Sequence, residues 1–156
     1  MAFNQDETTY TEHGRRIPRP SHNFVPEYQM SGIPHVETRT LGKIDFANGA
    51  RVVPDTHKFE FKSVTRWFSI HGHDNNDNSH IRVYFNKTAA QTQADTHYYL
   101  LDGIDSTVRF EIKCKEIYVV PAADNTIVSV IAGLTSVDAN DFPNQTKDNG
   151  FLGVEN

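Results

Sequence analysis

The histidines at 71, 73 and 80 bound a polar run, HGHDNNDNSH, whose residue types and spacing come nearest to chemistry. Two imidazoles two residues apart on an extended chain face the same way, so His71 and His73 could share a transition-metal ion. His80 would have to reach the same ion through the loop, and no cysteine stands near. Asp74, Asn76 and Asn78 fill the first three ligand positions of a calcium loop. Ser79, however, stands where such a loop needs glycine, and Phe85 where it needs a bidentate glutamate. A solvated hairpin tip explains the run better, and no metal or other cofactor is expected.

Cys114 is the only cysteine, which excludes an internal disulfide. It falls on the apolar phase of its segment and is expected as a small core residue rather than a nucleophile. The sequence holds no G-x-S-x-G elbow and no phosphate-cradling glycine loop. No catalytic residue is assigned, and the chain is not expected to be an enzyme.

The elements that would carry these residues read as β-strands. Val108, Phe110, Ile112 and Cys114 alternate with Arg109, Glu111, Lys113 and Lys115, the period of a strand with one buried face. After Lys115 the phase slips, and Ile117 and Val119 point inward. Such a slip predicts a β-bulge or a strand that changes sheets. Pro121 ends the run and Ala-Ala-Asp-Asn makes a turn. Ile127 to Leu134 is apolar on both phases, as expected of a strand covered on both sides. Phe110, Ile112, Cys114, Val128 and Val130 are the predicted core. Lys58 to Lys62 alternates, and Ser63 to Ile70 slips phase so that Trp67 stands opposite Val64, Phe68 and Ile70. With Ile81, Val83 and Phe85 after the polar run, the two flanking segments predict a hairpin with a long tip. Thr88 to Thr96 reads as a loop or short helical turn, and His97 to Leu101 as a short strand closed by Asp102-Gly103.

The 156 residues suit one domain, and ten Phe and six Tyr among many Asn, Asp and Thr suit strands joined by polar turns. A net charge of −5 argues against general nucleic-acid binding, which needs a basic face. No apolar run approaches the roughly 20 residues that span a bilayer, so no membrane partner is expected. The N-terminus lacks the basic and apolar parts of a secretory signal, which points to synthesis in a cytoplasm-like compartment.

Residues 1–55 differ from the rest. They hold five of the seven prolines, six positive and seven negative charges, and no sustained period. They read as an extended N-terminal arm, followed by a sandwich over 56–138 and a polar tail over 139–156 that is ordered only if something holds it. Apolar residues are spread along the arm, which is unusual for a linker. A docking strip on a partner surface explains them; a loop-rich segment folded over its own core is the alternative. Arg15, Arg16 and Arg19 could meet an acidic partner, and Phe24, Val25 and Tyr28 are the candidate apolar anchors.

The order FEFKSVTRWFSIHG, IRVYFN, YYLLDG, VRFEIKCKEIYVV and VSVIAGLTSV, over Lys58 to Val137, resembles small β-sandwich virion proteins of tailed bacteriophages, the decoration or cement class. The resemblance implies an all-β, jelly-roll-like antiparallel sandwich that binds a capsid surface and clamps neighbouring subunits. It implies the major capsid protein or another virion protein as partner, with homo-oligomerisation left open, and a virion location after synthesis in the host cytoplasm. A tail, neck or fibre-attachment protein is the first alternative. A carbohydrate-binding module is the second, with Trp67, Tyr84, Tyr98 and Tyr99 as stacking rings.

Overall fold

Residues 32–44, 46–47, 50–51, 53–73, 80–91, 97–102 and 106–151 are described by the structure, a computed structural model. Their strands are β1 (Ile33–Leu41), β2 (Phe46–Ala47), β3 (Ala50–Arg51), β4 (Lys58–Glu60), β5 (Ser63–His73), β6 (His80–Tyr84), β7 (Tyr99–Asp102), β8 (Ser106–Phe110), β9 (Glu116–Pro121) and β10 (Thr126–Asp138). A single short α-helix, α1 (Lys87–Gln91), and three 3-10 turns interrupt them among the described residues.

Two four-stranded antiparallel sheets stack, in the orders β1-β10-β5-β8 and β4-β9-β6-β7. The pairing is that of one long ribbon. With the small β2–β3 pair set aside, the first strand pairs with the last (β1·β10), the second with the seventh (β4·β9), the third with the sixth (β5·β8) and the fourth with the fifth (β6·β7). The ribbon then rolls up through β10·β5 and β9·β6. This is the jelly roll, and α1 lies in the connection at the ribbon's tip.

The ribbon bends where it passes from one sheet to the other. On one arm the bend is at Phe61 and Lys62, between β4 and β5; on the other it is at Glu111 to Lys115, between β8 and β9. Backbone bonds from Phe61 N–H to Lys115 O (2.8 Å) and from Thr65 N–H to Cys114 O (2.9 Å) tie the two bends together. The buried Thr65 hydroxyl donates to Ile112 O at 2.8 Å and accepts from Cys114 N–H at 3.0 Å. The phase slip after Lys115 is therefore a change of sheet. The slip in Ser63 to Ile70 is a bulge: Trp67 pairs with Gly133 and Thr65 with Leu134, leaving Arg66 as the extra residue.

Between the sheets lie Phe59, Phe68, Ile70, Val83, Ile117, Val119, Val128 and Val130, each fully buried. Phe110 stacks on Phe68 with centroids 4.8 Å apart. Phe110, Cys114, Val128 and Val130 are buried as their phase predicts. Ile112 is not: it is 37% exposed, because β8 ends at Phe110 and the bend carries Ile112 off the pleat.

Three further departures have physical causes. The sandwich extends N-terminally beyond residue 56, because Ile33–Leu41 is its first strand. That strand's inward positions are His35, Glu37, Arg39 and Leu41, so no apolar alternation marks it; His35 sets its ring edge-on to Phe61 and Arg39 covers Phe59. Pro34 is tolerated because β1 is an edge strand. The expected β5–β6 hairpin does not form, since the two strands belong to different sheets. Finally, much of the tail is held. Phe142 and Phe151 pack against Val64 and Val137, Lys115 donates to Phe142 O (3.0 Å) and Asn86 to Gln145 O (2.7 Å).

Candidate docking face

The two outer faces of the sandwich differ. Over the β4-β9-β6-β7 sheet, Ile44, Val53, Ala89 and Ala90 bury the outward Tyr84, Tyr118 and Val120 in a second small core. The segment before β4 and α1 thus cover the middle of this sheet, while Leu100 on its edge strand β7 stays 45% exposed. The outer face of the β1-β10-β5-β8 sheet has no such cover among the described residues.

Register places the side chains of that open face in rows. The first row is Pro34, Gly133 and Trp67; the second is Val36, Ile131, Ser69 and Arg109; the third is Thr38, Ser129, His71 and Thr107; the fourth is Thr40, Ile127 and His73. Val36 is 69% exposed, Ile131 45% and Ile127 40%. The first two rows are apolar apart from their far edge. There Arg109 lies over the Trp67 ring at 4.4 Å and donates to Glu111 at 2.9 Å, while the Ser69 hydroxyl donates to Val108 O. The third row is polar and satisfied internally, with Thr38 bonded to Ser129 (2.9 Å) and His71 to Thr107 (2.7 Å). A bordered apolar patch of this kind suits contact with another surface.

His71 and His73 share this face, as their spacing predicts, but His80 opens β6 in the other sheet. Among the described residues no three His, Cys, Asp or Glu side chains group as metal ligands. Asp74 to Ser79 lie outside the described residues. So do Arg15, Arg16, Arg19, Phe24, Val25 and Tyr28, the candidate partner-binding residues.

The four rings considered for sugar stacking are not gathered. Tyr84 is buried against Tyr98, Tyr99 meets Phe110 edge-on, and Trp67 stands on the other sheet. Burial pushes the Cys114 thiol up to about 12, and a hydrogen bond with Thr65 offsets only part of this. At neutral pH the group is a protonated core side chain. A cleft of about 210 Å³ is lined by Asn86, Lys115, Glu116, Tyr118 and Gln145. Its polar groups are largely spent on structure: Asn86 and Lys115 hold the C-terminal segment, and the Tyr118 hydroxyl donates to Glu116 at 3.0 Å. Burial, with the Glu116 carboxylate beside it, pushes the Tyr118 phenol well above its usual range.

The open face went unrecognised in the sequence because its residues come from four strands and meet only through register. The signal that could have found it is the doubly apolar phase of Ile127 to Leu134, which asks for cover on both sides. Comparisons with protein-family models, with curated proteins and with solved structures give no match.

Proposed function

We propose that this chain is a non-enzymatic virion structural protein that binds the outer surface of an assembled capsid and clamps adjacent subunits. The observation that carries this reading is the unequal treatment of the two outer faces: one is capped over its central strands by the chain's own residues, the other presents Val36, Ile131 and Trp67 as a bordered apolar patch. A jelly roll serves many functions, so the weight rests on this surface and not on the fold. The resemblance of Lys58 to Val137 to phage decoration proteins supports the choice of partner, the major capsid protein. Residues 1–31 add further apolar and basic side chains for the same contact.

The test is electron cryomicroscopy of purified particles from the virus that encodes the chain. The expected result is density for the sandwich outside the shell, across a junction of capsid subunits, with the β1-β10-β5-β8 sheet turned toward the shell. Density in the tail or neck would replace this reading with the tail alternative, and absence of the chain from purified particles would overturn both.

A further inference from the structure

β10 is apolar on both phases, yet its outward Ile127 and Ile131 are exposed among the described residues. The chain solves the same problem on the other sheet with its own segments. It enters the open face at the apolar end: Gly32 donates its N–H to Leu134 O at 3.1 Å, two residues before Pro34 in the row of Pro34, Gly133 and Trp67. The eight residues before this point are Phe24-Val25-Pro26-Glu27-Tyr28-Gln29-Met30-Ser31. In an extended chain Phe24, Pro26, Tyr28 and Met30 fall on one side and Val25, Glu27, Gln29 and Ser31 on the other.

We propose that residues 24–31 of the same chain cover the patch of Pro34, Val36, Ile131 and Trp67 in the free protein. Reach permits it. Eight residues span up to about 26 Å, while the patch crosses three strands spaced about 4.8 Å apart. Ser31-Gly32 supplies the residue types that reverse a chain. The alternating side would set an aromatic, a proline, a second aromatic and a thioether onto the apolar rows, with Glu27, Gln29 and Ser31 toward water. Tethering favours the chain's own segment over a second copy, because a short connection gives an effective concentration on the order of millimolar. The inference concerns the free chain and stands apart from the particle reading. If both hold, docking exchanges this cover for the capsid surface.

The experiment labels single cysteines in the full chain with a maleimide, without particles. Cys114 is fully buried and contributes little background. Val36→Cys should react about tenfold more slowly than Lys62→Cys on the exposed bend between β4 and β5, since its reaction waits on local opening. The protection should persist on hundred-fold dilution, and Phe24→Asp with Tyr28→Asp should abolish it. Ile131→Cys gives a second reading should Val36→Cys fold poorly. Reaction of both patch cysteines at the Lys62→Cys rate overturns the proposal. Loss of protection on dilution makes a second copy the occupant, and protection indifferent to the aspartates shows that another segment covers the patch; either result also overturns it.

Discussion

Thr65 and Cys114 hold the bend of the ribbon through a set of buried polar contacts. The Thr65 hydroxyl serves Ile112 O and Cys114 N–H at once. Thr65→Val keeps the shape and leaves both backbone groups unpaired, so it should cost about 1–3 kcal/mol in urea unfolding. Phe110→Ala empties a site shared with Phe68, Phe85 and Tyr99 and should cost about 3–5 kcal/mol. Ile112→Ala should cost about 1–2 kcal/mol, less than Phe110→Ala, because over a third of Ile112 stays in water. The thiol also sets a pH dependence. Unfolded, Cys114 ionises near the ordinary 9.0; folded, burial holds it protonated to about 12. The folded state therefore binds more protons in that window, and stability present below about pH 9 is lost as pH rises toward 12. Tyr118, raised by burial, and Lys58, raised by its hydrogen bond to Glu60, act in the same sense. Cys114→Ala should make the alkaline loss of stability less steep, and an unchanged slope would show that the thiol is not its source.

At the scale of elements, legibility followed hydrophobic contrast. β4, β8, β9 and β10 stood out because their inner phases are apolar, and the change of sheet after Lys115 could be read from a slipped phase. β1 could not, because His35, Glu37 and Arg39 occupy its inner phase and are accommodated by rings and carbonyls elsewhere. Arg39 donates to Thr56 O and Lys58 O, bridging the first strand of one sheet to the other. No local pattern encodes such a partner seventeen residues or more away. A polar loop between two alternating segments looks the same whether the strands pair or cross between sheets, so the sequence suggests a β5–β6 hairpin that the fold does not contain. Gly72 belongs to that crossing: a Cβ there would strike the Ile81 side chain. If β1 completes the jelly roll, a fragment of residues 56–138 should lack a cooperative thermal transition, because the inner face of β10 loses Leu41 and its edge loses every partner from β1. A fragment of residues 32–151 should keep one. Calorimetry of the two fragments checks this, and a cooperative transition in the shorter one would make β1 dispensable.

At the scale of the whole molecule, the outer face of the β1-β10-β5-β8 sheet is the proposed particle-binding surface. The face is apolar and close to neutral, whereas Arg15, Arg16 and Arg19 would act through charge. Salt separates them, since exposed charge pairs weaken within a Debye length of about 3 Å at 1 M. Binding through the face should survive high salt, and only a part carried by the arginines should fall. The most direct measurement is cosedimentation of the full-length chain with particles prepared without it, wild type against Val36→Glu/Ile131→Glu. Both substitutions lie outside the core between the sheets and should alter the stability of the sandwich by about 1 kcal/mol or less. Desolvating two carboxylates against an apolar contact should weaken binding by about a hundredfold or more. Wild-type affinity in the double variant, with the fold intact by circular dichroism, would contradict the assignment of this face.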